Sequence, residues 1–321
     1  MSATGSPLNS GYEYRNRVGP ADHGRTVLDL LAARYTHSTR SVWSVRIDRG
    51  QVRLDQLAVL PEQRVRAGQL LTWRRPPWQE PAVPLGFALL HLDPELIAAA
   101  KPRGLPTLPG GGRFLEHTLL HQVRQRFPGA SPAHRLGTGT SGIVLFGRTP
   151  RARARLSEAF RRGNLERRYL GLVKGHPSAE DWTIDRPIGP VPHGPIGRLN
   201  AAGATGKPSR TRCRVLERRV DGTALLELLI LTGRSHQIRA HLAAAGHPLQ
   251  GDPLFGEGGL PEPGSRALPS DGGYLLHARS LRFEHPATGR PLWIECAPPP
   301  LLRPFQTGRE KRRMRSGSRL K

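Results

Sequence analysis

The sequence predicts an α+β protein, with a small α/β module ahead of a larger domain of mixed strands and helices. Three features carry that expectation. Helical and strand-like periodicities alternate along the chain instead of resolving into one class. A proline-rich stretch over 76–86, opening Pro76-Pro77-Trp78, interrupts the patterned segments and divides them unequally. The 321 residues are enough for one large core and one small one.

Taken in order, residues 1–24 are rich in Ser, Gly, Asn and Pro, lack periodicity and are expected to be disordered. From Thr26 to Tyr35, apolar residues at Val27, Leu30 and Leu31 predict a short amphipathic helix. A second helix is expected after the capping residues of Ser38-Thr39-Arg40-Ser41, carrying Val42, Val45 and Ile47 before Asp48-Arg49-Gly50 turns the chain. Strands are expected over 51–55 and 65–73, which closes a module spanning 25–75. Arg34, Arg40, Arg46, Arg49, Arg53, Arg64 and Arg66 stud this module. Two helices, a glycine turn and a small basic hairpin resemble the S4 RNA-binding module, and a solvated basic face is the plainer reading of the same charges.

The larger domain, 87–303, is expected to hold strands at 170–174, 211–220, 224–231 and 292–296, with helices near 115–126, 150–162 and 235–246. A basic tail over 304–321 follows; from Thr307 on it has seven Lys or Arg against one Glu, and is expected to be a disordered arm.

Charge narrows the function. The chain carries 49 Lys and Arg against 25 Asp and Glu, a formal net charge of +24. Such an excess points to a polyanion, because each cation that neutralises a phosphate releases a condensed counterion. No run approaches the length of a membrane span, and no apolar secretory segment is legible near the first residues, so a cytoplasmic protein is expected. Cys213 and Cys296 are far apart and predict two reduced thiols. His236 and His241 approach metal-ligand spacing, but no cysteine or carboxylate accompanies them, so no metal is expected.

Residues 137–142 spell Gly-x-Gly-x-x-Gly, the lettering of a dinucleotide fingerprint. That motif needs a strand before the first glycine and a helix opening at the last. Here a polar segment precedes Gly137, and the β-branched and aromatic run Ile143-Val144-Leu145-Phe146 follows Gly142. The order is loop, strand, helix, so a glycine turn into a strand is predicted and a nicotinamide oxidoreductase is disfavoured.

Three separated segments carry a more specific signal. They are Lys101-Pro-Arg-Gly-Leu-Pro-Thr107; His134-Arg135-Leu136-Gly137-Thr-Gly-Thr140-Ser141-Gly142 with Glu166-Arg-Arg-Tyr169; and Leu231-Thr-Gly-Arg234-Ser-His236-Gln237-Ile-Arg239-Ala-His241, ending in Gly251-Asp252. In this order they resemble the RluA family of RNA pseudouridine synthases. The resemblance implies a pseudouridine synthase fold, a mixed and largely antiparallel sheet with helices and a central cleft, acting on ribosomal or transfer RNA. It implies an isomerisation that needs no cofactor, and the chain is expected to act as a monomer.

The resemblance also implies roles. Tyr169 matches the tyrosine that packs on the target base, Arg234 the basic residue that pairs with a catalytic carboxylate, and Arg135 an arginine that helps flip the nucleotide out of its stack. His236, Gln237 and Arg239, with Arg34, Arg40 and Arg46 of the first module, are expected to bind RNA. Where the family carries its catalytic aspartate, this chain has Gly137, and no Asp or Glu occurs between Pro128 and Arg155. Two expectations therefore stand side by side: an isomerase whose reactive group is supplied otherwise, and a family member that grips RNA without modifying it. Arg234, deprived of that carboxylate, is expected to be partnered by water, a backbone carbonyl, another carboxylate or an RNA phosphate, and Gly137→Asp is expected to restore chemistry only where the surrounding geometry still suits it.

Overall fold

The computed structural model describes residues 8–305 apart from 111, 204 and 263, so the expectations for the first seven residues and for most of the basic tail fall outside the described residues. The chain divides into two compact units, Met1–Pro81 and Ala82–Lys321.

The first unit is a four-stranded sheet with two helices. Its elements are β1 (Tyr12–Arg17), α1 (Val27–Arg34), α2 (Arg40–Asp48), β2 (Val52–Leu54), β3 (Leu57–Ala58) and β4 (Leu70–Arg75), and the strand order is β1-β4-β2-β3. Thr26 and Thr39 cap the helices by accepting bonds from the backbone N–H of Asp29 and Val42. Val27, Leu30 and Leu31 then face Trp43 and Ile47 over Val52, Leu54 and Leu71, as the spacing of the first helix predicted. In the second helix the expected Val42 and Val45 are exposed, and Trp43 takes the core-facing position with Ile47.

Two boundaries need correction. Within the segment expected to be disordered, β1 pairs antiparallel with β4 along its whole length. Its strand character is masked by charge: Glu13 accepts from the Nε atoms of Arg15 and Arg74, both at 2.6 Å, and Tyr14 stacks on Trp73 at 4.9 Å. The proline-rich stretch is likewise no free linker up to Pro81. Asn9 accepts from the Trp78 backbone N–H at 3.0 Å and donates to Glu80 at 2.7 Å, which ties 76–80 into this unit.

The second unit is built on a ten-stranded sheet. In chain order it contains β5 (Ala88–Leu92), β6 (Leu96–Lys101), α3 (Leu119–Arg126), β7 (Ser131–Pro132), β8 (Thr140–Gly147), α4 (Pro150–Arg162), β9 (Glu166–Lys174), β10 (Asp181–Asp185), β11 (Ile188–His193) and β12 (Gly197–Ala202). After these come β13 (Arg210–Arg218), β14 (Thr223–Ile230), α5 (Gln237–Ala244), β15 (Leu276–Glu284) and β16 (Pro291–Glu295). The main path runs β10-β13-β14-β9-β15-β8-β6-β5, with β16 on β15 and β7 on β8, while β11 and β12 form a separate hairpin. Among the described pairings β15 with β8 is parallel and the others are antiparallel.

Both faces of the central strands are covered, and that explains the unbroken apolar run at 143–146. Val144 and Phe146 point into the core shared with Leu119 and Val123 of α3 and Ile238 and Leu242 of α5. Ile143 and Leu145 point the other way, onto Leu156 of α4. Gly142 closes the seam: its φ is +112°, and a Cβ there would lie 2.2 Å from the Ala278 carbonyl of β15. Gly142 thus serves close strand packing, and a strand, not a helix, follows it. Cys213 and Cys296 are free and buried. No helix among the described residues is long and apolar enough to cross a membrane.

Candidate active-site cleft

The three sequence segments meet around one cleft of about 450 Å³. Its walls come from the loop after β6, the turn before β8, the inner face of β9, the turn before α5, and the segment leading into β15.

The first two segments are laced together by the backbone. Lys101, 2% exposed, donates its ammonium to the carbonyls of Pro102 (3.0 Å), Leu105 (2.6 Å) and Thr138 (3.3 Å). Burial pulls its pKa down to about 7, since no carboxylate offsets the lost hydration. Thr107 donates its hydroxyl to the Leu136 carbonyl at 2.8 Å, and Gly104 N–H donates to the Thr138 carbonyl at 2.8 Å. His134 sits behind this turn, stacked on Phe160 at 4.3 Å and accepting the Leu145 N–H at 3.1 Å. Burial and the charge of Arg167 lower its pKa to about 3, so the ring stays neutral and can accept.

The third segment is equally braced. Gln237 accepts at Oε1 from the Thr232 hydroxyl (2.9 Å) and the Arg234 N–H (3.0 Å), and donates to the Arg210 carbonyl (2.9 Å) and the Thr211 hydroxyl (3.0 Å). Its side chain is fully committed inside the protein, which corrects the expectation that it contacts RNA. Arg239 is corrected in the same way. It forms a two-pronged ion pair with Asp252 at 2.7 Å on each prong, with the two side chains 3% and 1% exposed, and donates to the Pro269 carbonyl at 3.0 Å. His236 has a left-handed φ of +62° at the start of α5, and burial with the nearby charges of Arg239 and Arg135 lowers its pKa to about 4.

Tyr169, Arg135, Arg234 and His236 all line the cleft. Tyr169 is buried in the wall beside Ile230 and Leu276, and burial raises the pKa of its phenol. Arg135 and Arg234 are exposed at the rim. Among the described residues Arg234 forms no ion pair, and its exposure lets water, one of the expected partners, solvate the charge. In the first unit, Arg34 and Arg40 are exposed but lean on Asp22 and Asp29. Arg46 is clamped between the rings of Trp43 (4.5 Å) and Trp73 (4.4 Å) and donates to Ser38 at 2.9 Å, so its guanidinium is engaged within the unit.

A residue without any sequence signal completes the site. Tyr274, 1% exposed, lies across Gly137 and Gly139 and lines the cleft. A Cβ on Gly137 would stand 2.6 Å from its Oη, and one on Gly139 would stand 2.8 Å from Cε1 and Cζ. The Thr140 hydroxyl donates to Oη at 3.2 Å, and the Arg239 guanidinium packs on the ring at 4.2 Å. The glycines flanking Thr138 therefore form a seat for a tyrosine. An aspartate at 137 does not fit while that tyrosine is in place, so the geometry on which its restoration depended has changed. No Asp or Glu is among the described residues lining the cleft.

The mixed, mainly antiparallel sheet carries a cleft with an aromatic wall and a basic rim, and the comparisons with known proteins specify the family to which it belongs. The sequence profile of the family described as RNA pseudouridylate synthase matches residues 95–244. An uncharacterized RNA pseudouridine synthase of Synechocystis is 44% identical over 86% of this chain and 95% of its own length. The dual-specificity RNA pseudouridine synthase RluA of Escherichia coli is 35% identical over 68% of this chain and 95% of its own. Among solved structures, human RNA Pseudouridylate Synthase Domain Containing 1 superposes with a TM-score of 0.56 at 26% identity, covering 74% of this chain and 98% of its own. This chain belongs to the RluA-type family of RNA pseudouridine synthases, which are isomerases.

Proposed function

We propose that the chain converts uridine to pseudouridine in structured ribosomal or transfer RNA, with the cleft holding the extruded nucleotide and the S4-like first unit adding RNA contacts. The observation that carries this reading is the convergence of Arg135, Tyr169, Arg234 and His236 on one nucleotide-sized cleft in a member of this family. A uridine inside a helix is shielded at its glycosidic carbon, so the base must leave its stack before reaction. Tyr169, Ile230 and Leu276 supply an apolar wall for the flipped ring, and Arg135 and Arg234 at the rim suit the flanking phosphates and the charge that gathers on departing uracil. His236, held neutral, adds no further positive charge.

One observation favours a second reading, RNA binding without modification: the described cleft lining contains no carboxylate. A single-turnover assay on total ribosomal and transfer RNA, reading pseudouridine directly, separates the two. Conversion by the unaltered protein, impaired on the order of tenfold or more by Arg234→Ala, is the expected result; binding with no pseudouridine above background overturns it.

A further inference from the structure

We propose that the phenol of Tyr274 supplies the reacting oxygen, attacking the ribose from the seat formed by Gly137 and Gly139. The inference rests on the isomerase reading above. Breaking the bond between C1′ and N1 leaves the sugar electron-poor, so the site needs an electron donor facing C1′. With no carboxylate among the described lining residues, the side-chain hydroxyls available are those of Thr107, Thr138, Thr140, Ser235, Ser270, Tyr169 and Tyr274. An alcohol is a far weaker acid than a phenol, which leaves the two tyrosines. Tyr169 is set among Ile230 and Leu276 in the apolar wall.

Tyr274 is placed differently. Its oxygen stands 2.6 Å from the point where a side chain on Gly137 would begin, at the turn that also carries Arg135. The Thr140 hydroxyl donates to that oxygen at 3.2 Å. A guanidinium lies on the ring face at 4.2 Å, and Asp252 holds it there from behind. The guanidinium on the ring face and the donated hydrogen bond fix the ring and its oxygen at this turn. Two consecutive glycines, Gly272 and Gly273, precede the tyrosine, and a Cβ on Gly139 would also meet the Gly272 backbone at 3.2 Å, so the segment leading into the tyrosine lies close against this turn.

The step balances without a co-reactant. The Tyr274 oxygen bonds to C1′ as the C1′–N1 bond breaks; the electron pair of that bond stays with uracil, whose N1 takes the phenol proton. After the base turns, C5 bonds to C1′, the tyrosine oxygen leaves with its electron pair, and it recovers the proton shed by C5. Nothing is oxidised or consumed.

The test uses the full chain and the Tyr274→Phe variant, which removes one oxygen and keeps the ring, in the single-turnover assay on total ribosomal and transfer RNA. The expected result is conversion by the wild type, a loss on the order of 100-fold or more in the variant, and RNA affinity within about threefold. Conversion by Tyr274→Phe within about threefold of the wild type overturns the proposal and leaves the isomerase reading standing. Binding without conversion by the wild type overturns that reading, and this one with it. A second measurement reads the geometry without activity. Gly137→Ala is expected to lower the melting temperature by roughly 2–4 °C in the wild type, where its methyl meets Oη, and by less than about 1 °C in Tyr274→Phe. In that background the nearest remaining atom is Thr140 Oγ1 at 3.8 Å. Equal shifts in the two backgrounds overturn the proposed seat.

Discussion

His134 and His236 are kept neutral by burial first and by neighbouring guanidinium groups second. In an unfolded chain each would take up a proton near its ordinary value of 6.5, whereas in the fold they resist to about 3 and about 4. The unfolded state therefore binds more protons below that ordinary value, and the stability present above it is lost as the pH falls. At pH 5 the loss is expected to be about 2 kcal/mol for each ring. Urea unfolding between pH 7 and 4.5 measures it, and His134→Gln, which keeps an acceptor for the Leu145 N–H, is expected to flatten the slope. An unchanged slope in that variant would assign the acid sensitivity to other groups.

Helix α5 is anchored from one side by Gln237 and from the other by Arg239, and both anchors reach into elements distant in sequence. The Arg239–Asp252 pair is shut away from water, so removing one partner strands a buried charge. Asp252→Asn is expected to cost about 3–5 kcal/mol. The cost should be largely cancelled when Arg239→Met is combined with Asp252→Leu, because the charge is then removed together with its partner; thermal unfolding of the single and double variants checks this. The same pair holds the guanidinium against Tyr274, so damage to α5 is transmitted to the cleft through a specific contact and not only through general loosening.

For the whole molecule the excess of 24 positive charges dominates its dealings with RNA. Many of those charges are exposed in both units, among them Arg34, Arg40, Arg49, Arg64, Arg66, Arg135 and Arg234. Neutralising on the order of six phosphates is expected to weaken RNA affinity by roughly three decades between 50 and 200 mM salt. Filter binding or anisotropy across that range tests the expectation, and a flat response would refute it. Truncation of residues 307–321 is expected to weaken all RNAs alike, because their seven Lys or Arg against one Glu neutralise phosphate whatever the RNA sequence. Removal of the first unit should also change which RNA is preferred.

What the sequence determined by itself is what depends on local periodicity and on motifs that keep their order. Helix α1 is legible from the spacing of its apolar residues and α2 from its caps, though α2 buries Trp43 where Val42 and Val45 were expected. Arg135, Tyr169, Arg234 and His236 are legible from their segments as residues that line the cleft. Charge concealed β1, whose evidence of strandness lies in Arg74 and Trp73, residues some sixty positions away. The roles of Gln237, Arg239 and Arg46 were likewise invisible, since a polar side chain reads the same whether it faces water or spends its bonds on Thr211, Asp252 or two tryptophans. Only the tertiary structure decided what the bare backbone of Gly137 and Gly139 is for. A glycine records that something comes close, but not what. The ring that comes close lies 137 residues beyond Gly137 and 135 beyond Gly139, at Tyr274, and it is brought there by the parallel pairing of β15 with β8.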